Sequence, residues 1–145
     1  MAEFRFKYQK ELDELLARGC QLPPLFAPND LSAYRFAFSS LAQQNHIPQY
    51  VRNPKRMLKD MAKGEADTSL LSLSCFETEP QAESFYSNLR KAFKNAWSSI
   101  GDSLAQGVLT NDDGVKTKTS GNGHFDFYEY EQCDLNRSFI ITKPL

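Results

Sequence analysis

Cysteine is scarce in this sequence, and its spacing excludes two common uses of the residue. Cys20, Cys75 and Cys133 are the only three, and more than fifty residues separate each from the next. An odd number at this spacing fits neither a disulfide framework nor a CxxC-type zinc site. We therefore expect free thiols, a reducing compartment and a cytoplasmic location.

Long apolar runs and an excess of charge of one sign are also missing. No apolar stretch approaches the ~20 residues that cross a bilayer, and the first residues lack the pattern of a signal peptide. The formal net charge is -1 and the pI about 6.1. These features predict a protein without a membrane partner, and they argue against a nucleic-acid binder that works by neutralising phosphates.

What the sequence does contain is enough apolar volume for one packed core. Its 145 residues are 41% hydrophobic and include eleven Phe, which is typical of a single globular domain. No internal repeat or linker divides it, so we expect one domain over residues 1–145. The possibility of a homo-oligomer is open.

The first half of the chain predicts mostly helices. Apolar residues at helical spacing, beginning with Phe4, indicate a helix over 3–18 that ends at Gly19. Three prolines predict an extended segment at 22–28, pinned by Leu25 and Phe26. Residues 31–41 carry signals of both helix and strand. A connector over 43–53 then leads to a helix over 54–63, for which Asn53 is the cap and Gly64 the stop.

The second half predicts a strand, a long helix and a group of antiparallel strands, which makes the fold class α+β. Alternation indicates a buried strand over 68–76. Thr78 and Gln81 form a capping box for a helix whose apolar face extends from Ala82 to Phe93 and Trp97. Later segments predict a hairpin over 108–119 around an Asn-Asp-Asp-Gly turn, a strand over 124–131 and a last strand over 138–142.

The strand over 124–131 carries the densest group of candidate functional residues. One face presents His124, Asp126, Tyr128 and Tyr130, and the other presents Phe125, Phe127, Glu129 and Glu131. A His and an Asp two residues apart could act as an acid/base or metal-binding pair. The alternative is a half-exposed strand with no chemistry. We expect no metal, because a metal site needs more ligands than this strand supplies and His46 is the only other histidine. We also expect no cofactor, because the glycine-bearing segment 120–123 lacks the Lys-Ser/Thr of a P-loop and precedes a strand rather than a helix.

Three short elements resemble, in their order, those of the arginine-type ADP-ribosyltransferases. They are Tyr34-Arg35, Ser72-Leu73-Ser74 and Glu129-Tyr130-Glu131. The middle element departs from the family pattern, since Leu73 stands where Thr is usual. The resemblance implies that the Arg35 and Ser74 elements would hold a dinucleotide and that Glu131 would stabilise a developing oxocarbenium ion.

Two functions from different classes follow from these patterns. The leading hypothesis is a non-enzymatic accessory domain that acts through a protein partner, with Tyr128, Tyr130 and Phe26 partly exposed as binding residues. It is favoured by the aromatic content and by the lack of a complete catalytic motif. The alternative is a nucleotide-directed enzyme, for which Arg35, Ser74 and Glu131, or His124 and Asp126, must converge in a cleft.

An RNA-binding sheet is a third and weaker hypothesis. Phe125, Phe127 and Tyr128 would stack on bases, but basic residues are sparse around them and alternate residues point to opposite faces.

Overall fold

The computed structural model describes residues 5–40 and 44–145 and confirms the α+β class. Its helices are α1 (Gln9–Ala17), α2 (Gln49–Arg52), α3 (Pro54–Lys63), a 3-10 helix (Thr68–Leu71), α4 (Glu79–Ala92), α5 (Ala96–Ser99) and α6 (Leu135–Ser138). Its strands are β1 (Leu31–Ala37), β2 (Leu73–Phe76), β3 (Ser103–Leu109), β4 (Gly114–Lys116), β5 (His124–Glu129) and β6 (Ile140–Pro144). The three cysteines are free.

The six strands form one antiparallel sheet that bends. Their order is β4-β5-β2-β1-β3-β6, so β3 and β4 stand four positions apart although only residues 110–113 join them. Four spacings of a flat sheet measure about 19 Å, whereas the connection reaches about 17 Å. The sheet therefore bends. The extended segment before β1 pairs with the β4 edge, where Phe26 exchanges two backbone hydrogen bonds of 2.8 Å with Lys116.

Apolar side chains cover both faces of the sheet. One face carries the main core, where β1, β2, β3 and β5 contribute small and aromatic residues and Phe139 closes the cluster. On the other face, α4 packs Ala82 and Phe85 against Phe76 and Leu104. A separate cluster holds α1, α2, α3 and the 3-10 helix together through Leu12, Leu15, Tyr50, Met57, Met61 and Leu71.

The predicted helix caps are confirmed. The Asn53 side chain accepts a hydrogen bond from the Arg56 backbone amide (3.2 Å), and Gly64 ends α3 in the left-handed conformation, with φ of 70°. The Thr78 hydroxyl accepts from the Gln81 amide (3.3 Å) at the start of α4, which confirms the cap, but it donates to Gln81 Oε1 (2.8 Å), so the Gln81 side chain does not complete the predicted capping box. These signals lie within a few residues of the structure they specify, which is why the sequence alone reveals them.

Several boundaries in the first half differ from the prediction. Helix α1 begins at Gln9, because Phe6 pairs with Tyr130 in an isolated bridge and keeps the preceding chain extended. Phe4 lies outside the described residues. The ambiguous segment 31–41 is a strand as far as Ala37, while Leu41 lies outside the described residues. Within the predicted connector 43–53, residues 49–52 form α2.

The apolar face predicted for the long helix is wrong at its end. Helix α4 stops at Ala92, and Phe93 and Trp97 are 62% and 60% exposed.

The predicted hairpin over 108–119 is also wrong. Its turn forms, with the Asp113 amide donating to the Thr110 carbonyl, but β3 pairs with β1 and β6 while β4 pairs with β5. Strand β3 forms seven residue pairs with β1, a longer pairing than a hairpin between β3 and the three-residue β4 would provide.

Four further expectations are corrected. Residues 68–71 are a 3-10 helix rather than strand, because the Asp67 carboxylate accepts from the Ser69 amide (2.9 Å). Strand β5 ends at Glu129, and the last strand begins at Ile140 because residues 135–138 form α6. Phe26 is 52% exposed, so backbone bonds rather than its side chain hold the extended segment.

Candidate functional site

A cleft opens where β1 and β2 separate. In the described chain these two strands pair at one position, Tyr34 with Phe76, and then diverge. The cleft has a volume of about 660 Å³ and is walled by the sheet, by α2 and α3, and by the segment before β3. Its polar lining residues are Arg35, Gln49, Arg52, Asn53, Arg56, Ser69, Ser72, Ser74, Ser99, His124 and Asp126.

His124, Ser74 and Asp126 form a polar cluster in the cleft. Ser74 lies opposite Asp126 in the β2–β5 register, and His124 is two residues earlier on the same face of β5. The His124 Nε2 atom is 3.1 Å from Ser74 Oγ and 3.6 Å from Asp126 Oδ1. Both contacts use one ring nitrogen, so the histidine does not bridge serine and aspartate through opposite nitrogens as in a Ser-His-Asp triad.

Aromatic packing and burial set the properties of this cluster. The His124 ring stacks on Phe85 (centroids 6.3 Å apart) and meets the edge of Phe76 (5.4 Å). Burial raises the pKa of Asp126, and the nearby His124 opposes that shift. A carboxyl whose pKa is raised beside an imidazole can exchange a proton with a bound ligand.

Arg35 brings a buried positive charge to the wall of the cleft. Its Nε donates to His46 Nδ1 (2.9 Å), and its Nη1 donates to the Ser74 carbonyl, which lies where β1 and β2 have separated. Burial, and secondly the Arg35 charge, lowers the pKa of His46 to about 3, so the imidazole is neutral and acts as an acceptor. Within residues 5–40 and 44–145, no carboxylate lies within 4.0 Å of this guanidinium.

Two more arginines stand at the rim. The Arg52 guanidinium lies 5.6 Å from the centre of the Phe38 ring. Arg56 donates to Gln49 Oε1 (2.6 Å), and its Nε is 3.7 Å from Asp60 Oδ2. Three arginines and one carboxylate therefore line the cleft. This balance of charge favours an anion, and guanidinium groups suit phosphate and carboxylate in particular.

The structure brings four of the predicted catalytic candidates together and leaves two apart. Arg35, Ser74, His124 and Asp126 all line the cleft, whereas Glu129 and Glu131 do not. Glu129 is buried against Lys7, with Oε2 2.8 Å from Nζ. Glu131 is exposed, 3.8 Å from Arg5. The Arg, Ser-x-Ser and Glu-x-Glu elements of the ADP-ribosyltransferase resemblance therefore do not share one site.

The predicted binding residues have different surroundings. Tyr128 is 3% exposed, so the expected exposure of this ring is wrong. The Phe6 ring packs edge-on against it, at 6.4 Å between centroids. Tyr130 is half-buried beside the same Phe6 ring (5.7 Å), whereas Phe26 is exposed on the segment that pairs with β4.

Sequence reasoning missed the arginine rim. Arg52 and Arg56 are spaced like neighbours on one helix, but Asn53 and Pro54 break the helix between them. The signal in the sequence that could have indicated an anion-binding rim was this pair of arginines on either side of the start of α3. Their proximity to Ser74 and His124 depends on tertiary packing of α2 and α3 against the sheet, and local spacing does not encode that.

Comparisons with known proteins add no functional assignment. Protein-family models, curated proteins and solved structures give no match to the chain. Within the part of the chain that the structure describes, no helix is long and apolar enough to span a membrane, and no three His, Cys, Asp or Glu side chains are grouped to hold a metal ion.

Proposed function

We propose that this protein binds a small phosphate-bearing ligand in the cleft between β1 and β2. The observation that carries the proposal is the excess of guanidinium groups, three arginines against one carboxylate, around about 660 Å³. This volume lies within the ~300–1,000 Å³ of typical small-ligand sites. One of the three, Arg35, is buried, and its charge already interacts with the Glu129 carboxylate, so in this proposal Arg52 and Arg56 provide most of the attraction for an anion.

Each group has a distinct role in this proposal. Arg52 and Arg56 contact phosphate oxygens at the rim, where paired N–H donors match the oxygen geometry. The Arg35 guanidinium is tied to His46 and to the Ser74 carbonyl, and it contributes its charge from a fixed position. The exposed hydroxyl of Ser74 donates to the ligand.

The same cleft also supports a reaction on the bound ligand. His124 and Asp126 lie 3.6 Å apart and both face the ligand space. Either group can take up or release a proton at a ligand oxygen. The nucleotide-directed enzyme inferred from the sequence would therefore use His124, Asp126 and Ser74, without Glu129 and Glu131.

Removing the rim charge tests the binding proposal. We expect the double variant Arg52→Ala, Arg56→Ala to bind phosphate esters at least about tenfold more weakly, because hydrogen bonds to charged groups contribute roughly 1.5–3 kcal/mol each. The measurement is isothermal titration calorimetry with ribose 5-phosphate and glycerol phosphate. Arg137→Ala is the matched control, since this exposed arginine lies on α6 outside the cleft. Equal affinities for the double variant and the wild type would contradict the proposal.

A protein partner is the second candidate function, and it is favoured by the β6 edge of the sheet, which residues 5–40 and 44–145 leave without a neighbouring strand. The β4 edge is covered by the backbone of Phe26, whereas β6 has β3 on one side and exposes Ile140 (67%) and Ile141 (43%). We propose that a partner would add an extended strand along β6. Such a partner would act through main-chain hydrogen bonds and apolar contacts with the two isoleucines.

Lysine substitutions on this edge strand test the strand-addition proposal. We expect the wild-type protein to retain a stoichiometric partner in affinity purification and the Ile140→Lys, Ile141→Lys variant to lose it. Val108→Lys is the control, because Val108 is exposed on β3 rather than on the edge strand. Equal recovery with both proteins contradicts strand addition, and a dimer seen in light scattering would identify a second copy as the partner.

A further inference from the structure

A second cleft continues from the first. Its volume is about 720 Å³, and four residues, Gln49, Arg56, Ser99 and Ile100, line both spaces. The remaining lining residues are Ala92, Phe93, Lys94 and Asn95, at the end of α4. Because Arg56 borders both clefts, a ligand that contacts its guanidinium can extend into either of them.

An exposed aromatic ring dominates the second cleft. Phe93 follows the last residue of α4 with extended backbone angles (φ -133°, ψ 111°), and its amide donates to the Leu89 carbonyl (2.7 Å). The ring leaves the helical register here and is 62% exposed. Together with Ile100 and Ala92 it forms an apolar wall next to polar Asn95, Ser99 and Gln49. Large exposed rings in a cleft are typical of ligand-binding surfaces.

We propose that the second cleft binds a flat aromatic ring carried by the same ligand whose phosphate contacts Arg56. The inference rests on the proposed function and narrows the ligand to a phosphate ester with an aromatic group, the chemistry of a nucleoside monophosphate. Phe93 stacks on the ring, and Ile100 packs beside it. Asn95, Ser99 and Gln49 offer hydrogen-bonding groups to the polar spacer between ring and phosphate.

Calorimetric titration with matched probes tests the aromatic subsite. The probes are AMP, GMP and UMP, with ribose 5-phosphate as the same phosphate and sugar without a base. We expect at least one nucleotide to bind about tenfold or more tightly than ribose 5-phosphate, as base stacking on a protein ring typically provides. Phe93→Ala should remove this gain and leave the affinity for ribose 5-phosphate unchanged.

Trp97→Ala is the matched control. Trp97 is as exposed as Phe93 and lies four residues away, but it does not line the second cleft. Equal affinities for ribose 5-phosphate and all three nucleotides would overturn the aromatic subsite and leave the phosphate cleft intact. A nucleotide gain that survives Phe93→Ala would also overturn it. Failure of every phosphate probe to bind would overturn both the subsite and the proposed function.

Discussion

Replacing Lys7 with Met is expected to lower the free energy of unfolding by about 3 kcal/mol at neutral pH, because it leaves a buried carboxylate without its ion partner. Lys7 Nζ lies 2.8 Å from Oε2 of Glu129, a side chain that is 2% exposed, and it also donates to the Cys133 carbonyl. Chemical denaturation followed by fluorescence of the single tryptophan measures the change. The Lys10→Met variant, which replaces an exposed lysine on α1, should stay within about 0.5 kcal/mol of the wild type.

The effect of Lys7→Met should depend on pH in a defined direction. Burial raises the pKa of Glu129 above its usual 4.5, and Lys7 opposes that shift. A raised carboxyl pKa means that ionising the group costs stability at high pH, and the cost disappears as the group takes up a proton. The defect should therefore shrink as the pH falls from 7 towards 4.5. The double variant Lys7→Met, Glu129→Gln should recover most of the loss at neutral pH, and a defect that is constant with pH would contradict this account.

Gly101→Ala is expected to destabilise the fold by about 3 kcal/mol. Gly101 has φ of 144°, a conformation that L side chains rarely adopt, and an added Cβ would lie 2.6 Å from the Ala37 carbonyl oxygen and 2.8 Å from its nitrogen. Neither backbone atom can move without disturbing the β1–β3 pairing. Gly121→Ala is the control, because nothing lies within 4 Å of its added Cβ and its φ is not positive.

Gly101 also directly follows residues that line the candidate site, so a substitution that destabilises this segment should affect the clefts as well. Residues 99 and 100 line both clefts, and the Gly101 carbonyl accepts a hydrogen bond from the Tyr86 hydroxyl (2.6 Å). Thermal unfolding should show a decrease in Tm of roughly 10 °C for Gly101→Ala. An alanine at this position with wild-type Tm would contradict the close approach of β1 to the segment before β3.

Features encoded within a few residues could be predicted from the sequence. The caps at Asn53 and Thr78 and the αL stop at Gly64 depend on local hydrogen bonds. The shared face of His124 and Asp126 follows from strand alternation. Each of these needs no information about distant parts of the chain.

Features decided by distant contacts could not be predicted. The turn at 111–114 is compatible with a hairpin, but β3 gains a longer pairing with β1, more than sixty residues earlier in the chain. Strand alternation correctly places Tyr128 two residues after Asp126 on the same face of β5. It does not reveal that Phe6, from the other end of the chain, packs against the Tyr128 ring. The arginine rim arises in the same way, because α2 and α3 approach β2 and β5 only in the folded state.

The most direct test of the phosphate-binding cleft is a titration of ¹⁵N-labelled protein with ribose 5-phosphate, followed by amide chemical shifts. We expect saturable shifts at cleft residues such as Arg52, Ser74 and His124, while amides outside the cleft, such as that of Arg137 in α6, stay unchanged. The Arg52→Ala, Arg56→Ala variant should lose these shifts. Shifts scattered over the surface, or none at the highest ligand concentration, would contradict the claim that the cleft binds a phosphate-bearing ligand.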